Sequence, residues 1–328
     1  MTKRMIMSRT PLRITFTGGG TDIPEYFTNY GNGAVINATI NKYIYITVNE
    51  KFDKKIRVSY STTEIVENAD EIKHPVVREV MNYLNIREKI EIVSISDIPS
   101  NGTGLGSSST FTVGLLNALH AYKGEFVSSS QLAKEAVCIE RDILKEEGGL
   151  QDQYAAAFGG LNLMEFYKGG EVNVTPLIMP GNTIDELQKH LILLYTNMER
   201  KSNDIHRDQK ARVSSSIENY KKMSKLSHEL REELNKGNFL ETGRVLNENW
   251  IEKKKLSNRI SMEEIDLLYE RAMDNGAKGG KLIGSGGGGF LMFFADPKYH
   301  RSISESLRMP VTPFKIVHRG SGIIFVGD

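Results

Sequence analysis

Short apolar or alternating segments recur along the chain, and they predict strands interleaved with helices. Alternation with a period of two, as in YIYITV at 43–48 and KIEIVSI at 89–95, is typical of a half-buried strand. The other strand candidates are RITF at 13–16, LNLMEF at 161–166, EVNVTPL at 171–177, LILLY at 191–195, KLI at 281–283 and FLMFF at 290–294.

Helix-like segments fill much of the remaining chain. The segments TFTVGLLNALHAY, SQLAKEAVCIERDILKEE and QDQYAAAF are predicted helices, and two long polar-faced helices are expected at about 203–236 and 238–258. Ser261 and Glu264 have the spacing of a capping box, which predicts the start of a further helix. The first half therefore mixes strands with helices, whereas the second half begins rich in helix.

The pattern breaks near residues 180 to 190, where MPGNTIDELQKH brings in proline, glycine and polar residues. The chain, at 328 residues, is also longer than one domain usually is, because domains usually hold about 100 to 200 residues. We therefore expect an α+β protein with two domains, 1–185 and 186–328, and a cleft between them.

Composition and charge exclude several classes of partner. Hydrophobic residues make up 39% of the chain and charged residues 25%, as in an ordinary globular protein. Forty-two Lys and Arg against 41 Asp and Glu leave a net charge of +1, which provides no basic field to hold a polyanion. We therefore expect no nucleic acid partner.

Cysteine usage and hydropathy indicate a cytoplasmic location. The single cysteine, Cys138, cannot form an internal disulfide, and the seven histidines lack metal-ligand spacing, so we expect a reducing compartment and no zinc site. The segment MTKRMIMSRT lacks the apolar core of a signal peptide, and no apolar run approaches membrane-spanning length. We therefore expect neither a signal peptide nor a membrane span.

Glycine is concentrated in three clusters, at 18–20, 102–106 and 284–289, each beside a strand candidate. At the second cluster, a strand, a glycine turn and a helix that begins at the serines would direct free backbone amides into one concavity. Phosphate binding and a serine-capped turn both fit this segment alone. A Walker A motif is excluded because no Gly-Lys-Ser/Thr follows, and the G-x-G-x-x-G at 284–289 opens a strand, whereas a dinucleotide fingerprint opens a helix.

Glu140 lies on the apolar face of the helix predicted from about 130 to 146. An unpaired carboxylate there would cost on the order of several kcal/mol. We therefore expect a cation opposite it, either a Lys or Arg from a neighbouring element or a metal ion. The apolar stripe that includes it comprises Leu132, Ala133, Ala136, Ile139, Ile143 and Leu144.

Asp152 lies in the first turn of the short alanine-rich helix in GGLQDQYAAAFGG. The helix dipole stabilises an acidic residue at this position, which is a sufficient structural explanation, and it would also lower the pKa of the carboxyl group. An ionised aspartate there could instead orient a substrate hydroxyl.

Three segments together resemble the motifs of the GHMP kinases, in the same order and with similar spacing. They are PLRITFTGGGTD at 11–22, PSNGTGLGSSS at 99–109 and KLIGSGGGGF at 281–290, and the resemblance spans nearly the whole chain. The segments GGLQDQYAAAFGG and TNMERKSNDI are most similar to the sugar 1-kinase branch of the family. The resemblance implies a ribosomal protein S5 domain 2-like N-terminal domain and a ferredoxin-like C-terminal domain, with ATP and a sugar bound between them.

The resemblance also implies roles for particular residues. Asp152 would be catalytic and would accept or orient the proton of the attacking hydroxyl, while Arg13 would neutralise charge on the transferred phosphoryl group. Ser108 and Glu140 would hold Mg²⁺. The ATP phosphates would be bound by Gly102, Gly104, Leu105, Gly106, Ser107, Ser108 and Ser109, and the sugar by Arg13, Gly18, Gly19, Gly20, Thr21, Asp22, Asp152, Gly286 and Gly287.

One departure from the family pattern bears on the substrate. Galactokinases carry Gly-Glu-His-Thr-Asp where this chain has Gly-Gly-Gly-Thr-Asp at 18–22, which leaves room for a longer sugar and favours an anionic one. The implied reaction is phosphorylation of the anomeric hydroxyl of D-glycero-D-manno-heptose 7-phosphate, for the synthesis of nucleotide-activated heptose and surface polysaccharide. Arg200 and Lys201 are candidates to bind the 7-phosphate, although charged residues before a helix are usually only solvated.

Two other functions stay open from the sequence. One is a kinase for L-fucose or another neutral sugar, and the other is a non-catalytic sugar-binding regulator derived from a kinase. A homodimer also stays open. The retention of Ser108, Glu140 and Asp152 favours an active enzyme over a regulator.

Overall fold

The computed structural model describes residues 4–99, 102–179, 182–198 and 202–327. The strands are β1 (Ile6–Thr17), β2 (Gly33–Glu50), β3 (Ile56–Ser59), β4 (Thr63–Val66), β5 (Ile90–Ser96), β6 (Leu161–Phe166), β7 (Val172–Pro176), β8 (Leu191–Tyr195), β9 (Ala277–Leu282), β10 (Phe290–Ala295) and β11 (Gly322–Val326). The α-helices are α1 (Pro24–Phe27), α2 (Pro75–Tyr83), α3 (Ser107–Lys123), α4 (Ser129–Val137), α5 (Gln151–Phe158), α6 (Thr183–Lys189), α7 (Ser202–Ala211), α8 (Ile217–Lys236), α9 (Phe239–Lys255), α10 (Glu263–Asp274) and α11 (His300–Leu307).

The first domain is built on a large sheet with the strand order β11–β1–β2–β5–β3–β4. The long strand β2 pairs along one edge with β1 and along the other with two strands, since residues 33–38 pair with β6 and residues 44–50 with β5. Residues 33–40 of β2 are all buried, which requires cover on both faces of the sheet. Helices α3 and α8 both pack against this strand.

The second domain contains a smaller antiparallel sheet with the order β8–β10–β9. A single bridge between Leu194 and Val311 lies beside β8, where the fourth strand of a ferredoxin-like sheet belongs. The chain then returns to the large sheet, because β11 pairs with β1. The division at 185/186 stays a prediction.

Most strands were predictable from their hydrophobic pattern, and each strand candidate overlaps a strand of the structure. The prediction of one long helix at about 203–236 was wrong. Helix α7 ends at Ala211, a 3₁₀ turn spans Val213–Ser215, and α8 begins at Ile217. The Ser215 hydroxyl donates to the Arg212 carbonyl, which shows a serine competing for a backbone acceptor at this break.

The helix predicted from about 130 to 146 also differs. Helix α4 ends at Val137, and residues 138–143 form a π-helical turn in which the Leu144 amide donates to the Ile139 carbonyl. The wider turn rotates the side chains that follow it relative to a regular α-helix. Ile143 is therefore 41% exposed, although it was predicted to be buried.

The predicted capping box at Ser261 does not form. Helix α10 begins at Glu263, and the Ser261 hydroxyl donates to Asp266 at 2.9 Å instead of capping a backbone amide. Among the helices of the described residues, none combines the length and hydropathy needed to cross a membrane.

Candidate active site

Two neighbouring cavities are lined by residues of both domains. The inner cavity, of about 290 Å³, is lined by charged side chains of the first domain and by α7, α9 and Gly284–Ser285 of the second. The glycine cavity, of about 160 Å³, is lined mainly by the glycine clusters at 102–106 and 284–288. Both cavities contact Arg13, Ser108 and Asp152, so these side chains lie where the two meet.

A third cavity adjoins the glycine cavity. This aromatic cavity, of about 540 Å³, is lined by Tyr60, His74 and Phe111 and shares Ser107 and Ser108 with the glycine cavity. The His74 ring stacks on Phe111 with ring centroids 5.0 Å apart. The three cavities therefore form a continuous series that runs from an aromatic end to a charged end.

The second glycine cluster forms the wall of the glycine cavity as predicted from sequence. Gly102, Gly104 and Gly106 all have left-handed φ angles, and α3 begins directly after Gly106. A Cβ on Gly106 would lie 3.2 Å from Asp152 Oδ2 and 3.3 Å from Arg13 Nε, so glycine here allows close approach of those two side chains. The cavity is also lined by Ser107 and Ser108.

Two members of the predicted phosphate-binding set face elsewhere. The Leu105 side chain is fully buried in the core, and its carbonyl accepts a hydrogen bond from the Arg13 amide. The Ser109 hydroxyl donates to Glu140 at 2.8 Å.

The third glycine cluster packs against the second, backbone to backbone. A Cβ on Gly284 would lie 2.6 Å from Gly104 Cα, and a Cβ on Gly289 would lie 2.5 Å from the Thr103 carbonyl oxygen. Gly286 lines the glycine cavity, whereas the Gly287 amide donates to the Ile260 carbonyl. Neither glycine lines the inner cavity, so the geometry offers no support for their predicted sugar contacts.

Arg13 and Asp152 form a bidentate ion pair. Arg13 Nε donates to Asp152 Oδ1 at 2.8 Å and Nη2 donates to Oδ2 at 2.7 Å, while Nη1 donates to the Gly104 carbonyl. The side chain of Asp152 is 25% exposed and faces both cavities. The prediction that the helix dipole lowers its pKa was wrong, because burial raises the pKa of Asp152 and the Arg13 guanidinium only opposes that shift.

Glu140 lies at the wall of the inner cavity and is 3% exposed. It accepts hydrogen bonds from Ser109 Oγ at 2.8 Å, Thr112 Oγ1 at 2.5 Å and Gln153 Nε2 at 2.5 Å. No Lys or Arg in the described part of the chain forms an ion pair with it. Burial raises the pKa of Glu140 to about 7, and the three hydrogen bonds oppose that shift only in part.

Gly18, Gly19 and Gly20 form a turn, the GGG turn, which is held mainly by hydrogen bonds to other parts of the protein. The Thr21 hydroxyl donates to the Ala34 carbonyl and accepts from the Ala34 amide, and the Gly18 amide donates to Asn249 Oδ1 at 2.9 Å. Asp22 accepts from the amides of Gly20 at 2.7 Å and Gln151 at 3.2 Å, so it ties the turn to the start of α5. Of the predicted sugar-binding residues at 18–22, Gly20 and Asp22 line the inner cavity.

Comparison with known proteins identifies the family. Residues 58–160 match the GHMP kinases N terminal domain, and residues 230–308 match the GHMP kinases C terminal domain. The chain is 35% identical over 319 residues to the D-glycero-alpha-D-manno-heptose 7-phosphate kinase of Campylobacter jejuni, covering 93% of this chain and 94% of that protein. The chain belongs to the GHMP kinase family. The predicted family, fold class and kinase activity are confirmed, and ATP is the phosphoryl donor of the family.

Other relatives of this GHMP kinase are also sugar kinases by name. A crystal structure of a D-glycero-D-manno-heptose 1-phosphate kinase from Bacteroides thetaiotaomicron has a TM-score of 0.82 and 29% identity, covering 98% of this chain and 100% of that one. The L-fucokinase/L-fucose-1-P guanylyltransferase of Bacteroides fragilis is 25% identical over 340 residues, covering 90% of this chain and 35% of that protein. The two heptose kinase names differ in the carbon that carries the substrate phosphate.

The donor set around Glu140 fits a divalent cation bound together with a nucleotide. A buried carboxylate with neighbouring hydroxyls is a hard-oxygen environment of the kind that Mg²⁺ prefers. The described residues contain no group of three or more His, Cys, Asp or Glu side chains arranged for a metal ion. A cation at Glu140 would therefore take further ligands from the phosphates. Ser108, the other predicted ligand, is exposed and lines all three cavities.

Several residues at the site were missed by sequence reasoning. His206 and Gln209 of α7 and Lys253 of α9 line the inner cavity, and Lys281 of β9 is 1% exposed beneath the GGG turn. Lys281 had a sequence signal, since it is a charged residue in the strand candidate KLI at 281–283. Arg200 and Lys201, the predicted 7-phosphate ligands, lie outside the described residues.

Proposed function

We propose that this GHMP kinase transfers the γ-phosphoryl group of ATP to the anomeric hydroxyl of D-glycero-D-manno-heptose 7-phosphate, giving the 1,7-bisphosphate and ADP. The observation that carries the proposal is the 35% identity to a heptose 7-phosphate kinase over 93% of the chain. The product would supply nucleotide-activated heptose for surface polysaccharide. The cytoplasmic location and the homodimer stay predictions.

The series of cavities supports a path for the nucleotide. The adenine ring would occupy the aromatic cavity beside His74 and Phe111, where apolar and aromatic surface suits a planar base. The phosphates would lie in the glycine cavity, where backbone amides at the start of α3 and the hydroxyls of Ser107 and Ser108 can donate to their oxygens. The transferred group would then meet the sugar where the glycine cavity adjoins the inner cavity.

Ser108 and Glu140 would hold Mg²⁺. A cation held there would supply positive charge that offsets the negative charge developing during phosphoryl transfer. The hydrogen bonds from Ser109, Thr112 and Gln153 fix the Glu140 carboxylate in one orientation toward the inner cavity.

Asp152 and Arg13 would act on the attacking hydroxyl. The bidentate contact with Arg13 fixes the Asp152 carboxylate where the two cavities meet, and each of its oxygens keeps capacity to accept another hydrogen bond. Asp152 would accept or align the hydroxyl proton, and the Arg13 guanidinium would stabilise negative charge on the oxygen and on the phosphoryl group in transfer.

A second candidate function has support from the fucokinase relatives, which suggest L-fucose or another neutral sugar as acceptor. A non-catalytic regulator is less well supported, because the serine, glutamate and aspartate assigned to chemistry are all present and line the cavities. The two kinase functions differ in whether the acceptor carries a phosphate.

The acceptor can be identified by measuring ADP release with ATP, Mg²⁺ and a panel of hexoses, heptoses and their phosphates. We expect heptose 7-phosphate to give the highest kcat/KM. A higher kcat/KM with L-fucose, or with any unphosphorylated sugar, would contradict the proposed substrate. ADP release absent with every sugar in the panel would favour the regulator.

A further inference from the structure

The inner cavity has cationic side chains in its wall. Among the residues that the structure describes, the Lys and Arg side chains lining it are Arg13, Arg141 and Lys253. The Arg13 guanidinium is held by its bidentate contact with Asp152, and Lys253 Nζ donates to a backbone carbonyl of the GGG turn at 2.7 Å. Arg141 forms no ion pair with any described residue. Of these cations, Arg141 therefore has the most unused hydrogen-bond donors.

The loop after the π-helical turn holds Arg141 in place. Arg141 Nη1 donates to the Glu146 carbonyl, and the Glu146 amide donates to the Glu140 carbonyl at 2.9 Å. Burial raises the pKa of the Glu146 carboxyl group and the Arg141 charge opposes that shift, but the two side chains form no ion pair. The remaining N–H groups of Arg141 keep the planar fork that matches a phosphate group.

The carboxylates in the same wall have other partners. Asp152 is occupied by its bidentate ion pair, and Glu147 Oε2 lies 3.3 Å from Lys210 Nζ. Asp22 accepts from two backbone amides, and Glu140 accepts from three uncharged side chains. The Arg141 guanidinium therefore borders a cavity of about 290 Å³ with no carboxylate bound to it.

The environment of His206 shows that positive charge is concentrated in this part of the protein. Burial lowers the pKa of His206 to about 4. The charges that also act on it are three cations and one carboxylate, namely Lys253, Arg141, Arg13 and Asp22. His206 lines the inner cavity, so an anionic ligand there would lie in a favourable field.

Arg141 is separate from the place proposed for the nucleotide phosphates. It lines the inner cavity but not the glycine cavity, whereas Asp152 lines both. A heptose phosphorylated at C7 carries its phosphate at the opposite end of the molecule from the anomeric carbon. With the anomeric hydroxyl at Asp152, that phosphate must lie elsewhere in the inner cavity, where Arg141 provides a guanidinium.

We propose that Arg141 binds the phosphate group of the sugar acceptor in the inner cavity and makes this kinase prefer phosphorylated sugars. The inference rests on the proposed function, since it assigns the acceptor's phosphate to a particular side chain. It gives Arg141 the role that the sequence suggested for Arg200 and Lys201.

The test uses variants of the full-length protein. Arg141→Gln removes the charge and keeps a polar side chain, while Arg141→Lys keeps the charge and loses the fork. Arg207→Gln is the matched control, at an exposed arginine of α7 that lines none of the three cavities. A double variant, Arg200→Gln with Lys201→Gln, tests the competing assignment. Calorimetry without ATP would measure binding of heptose 7-phosphate and of unphosphorylated heptose, and steady-state kinetics would give KM for ATP.

We expect Arg141→Gln to weaken binding of the phosphorylated sugar by about 10- to 100-fold and to leave binding of the unphosphorylated sugar near the wild-type value. Its KM for ATP should change by less than about 3-fold, because Arg141 does not line the glycine cavity. Arg141→Lys should lose about 3- to 10-fold, for the phosphorylated sugar only. Arg207→Gln should keep all the wild-type values.

The assignment is overturned if Arg141→Gln keeps the preference, loses affinity for both sugars equally, or raises KM for ATP with acceptor binding unchanged. Loss of the preference in the double variant alone would return the role to Arg200 and Lys201. If Arg141→Gln does not fold, Arg141→Lys decides, and a wild-type preference in that variant contradicts the assignment. A wild-type protein with no preference for the phosphorylated sugar would contradict the proposed function itself, and with it the role of Arg141.

Discussion

Two carboxylates, the buried Glu140 and the partly exposed Asp152, carry most of the chemistry proposed for single residues. Glu140 could be predicted as unusual from its apolar neighbours in the sequence, because a carboxylate among them needs compensation. His206 and Lys253 could not be assigned in the same way, because only the three-dimensional arrangement brings them to the wall of the inner cavity.

Replacing Asp152 with Asn should lower kcat by about 10²- to 10⁴-fold, since the amide cannot accept the proton of the attacking hydroxyl as a carboxylate can. ATP affinity should change by less than about 3-fold, because the proposed phosphate contacts come from the glycine cavity. Rapid-quench kinetics and nucleotide titration would measure the two quantities. The exposed Asp142→Asn is a suitable control, and near-normal turnover in Asp152→Asn would remove the assigned role.

Replacing Glu140 with Gln should stabilise the protein in the absence of nucleotide and metal. The folded-state pKa of Glu140 is about 7 against an ordinary value of 4.5, so ionisation of this group costs stability as pH rises from 4.5 to 7. Above pH 7 the variant should be more stable by up to about 3 kcal/mol, measured by urea denaturation, and equal to the wild type near pH 4.5.

The same variant should require more Mg²⁺ for half-maximal activity, because it lacks the carboxylate ligand. A gain in stability together with a higher magnesium requirement would identify Glu140 as a residue kept for function. An unchanged magnesium titration would instead show that its hydrogen bonds serve only the fold.

Among the elements, two position the site. They are the π-helical turn at 138–143 and the glycine loop before α3, in which Gly102, Gly104 and Gly106 have left-handed φ angles. The sequence pattern predicts α3 and the glycine loop well, because a strand, glycines and an apolar helix follow in order. It does not predict the π turn or the break between α7 and α8, since both depend on local hydrogen bonds that hydrophobic spacing does not reveal.

Helices α3 and α4 are joined by a cluster around the buried His120. Its Nδ1 lies 2.8 Å from Glu125 and its Nε2 lies 2.7 Å from Glu135. The hydrogen bond with Glu135 raises the pKa of His120, although burial opposes the shift. The pKa of Glu135 is lowered, because its bonds to His120 and Gln131 outweigh burial.

The stability contributed by this cluster should depend on pH. The His120 contribution is complete below its ordinary pKa of 6.5 and is lost as pH rises through the higher folded-state value, whereas the Glu135 contribution is present above 4.5 and lost below it. His120→Gln should therefore lower the unfolding free energy by about 1 to 3 kcal/mol between pH 4.5 and 6.5, with a smaller loss at high pH. His228→Gln, at a more exposed histidine, is the control. A loss independent of pH would contradict the charged cluster.

In the whole molecule, the two domains meet through backbone contact between glycine clusters that are far apart in sequence. The order and spacing of these clusters made the family and the two-domain fold predictable. The return of β11 to the large sheet was not predictable from pattern, because GIIFV is a short edge strand whose partner, β1, lies at the other end of the chain.

Gly284→Ala should disturb this contact. The residue has a φ of +86°, and its Cβ would lie 2.6 Å from Gly104 Cα, where only backbone could move away. We expect a loss of about 1 to 3 kcal/mol in stability and a higher KM for ATP, measured by denaturation and steady-state kinetics. Gly169→Ala is the matched control, since its Cβ would meet no atom within 4 Å. Wild-type stability and KM in Gly284→Ala would show that the clusters need not touch.

The most direct test of the central claim is ³¹P NMR of the wild-type reaction with ATP, Mg²⁺ and D-glycero-D-manno-heptose 7-phosphate. The expected result is a new phosphate signal coupled to the anomeric proton, growing as the ATP signals decline, while the 7-phosphate signal persists. Formation of ADP with no anomeric phosphate signal, or transfer to an unphosphorylated sugar but not to the heptose phosphate, would contradict the account.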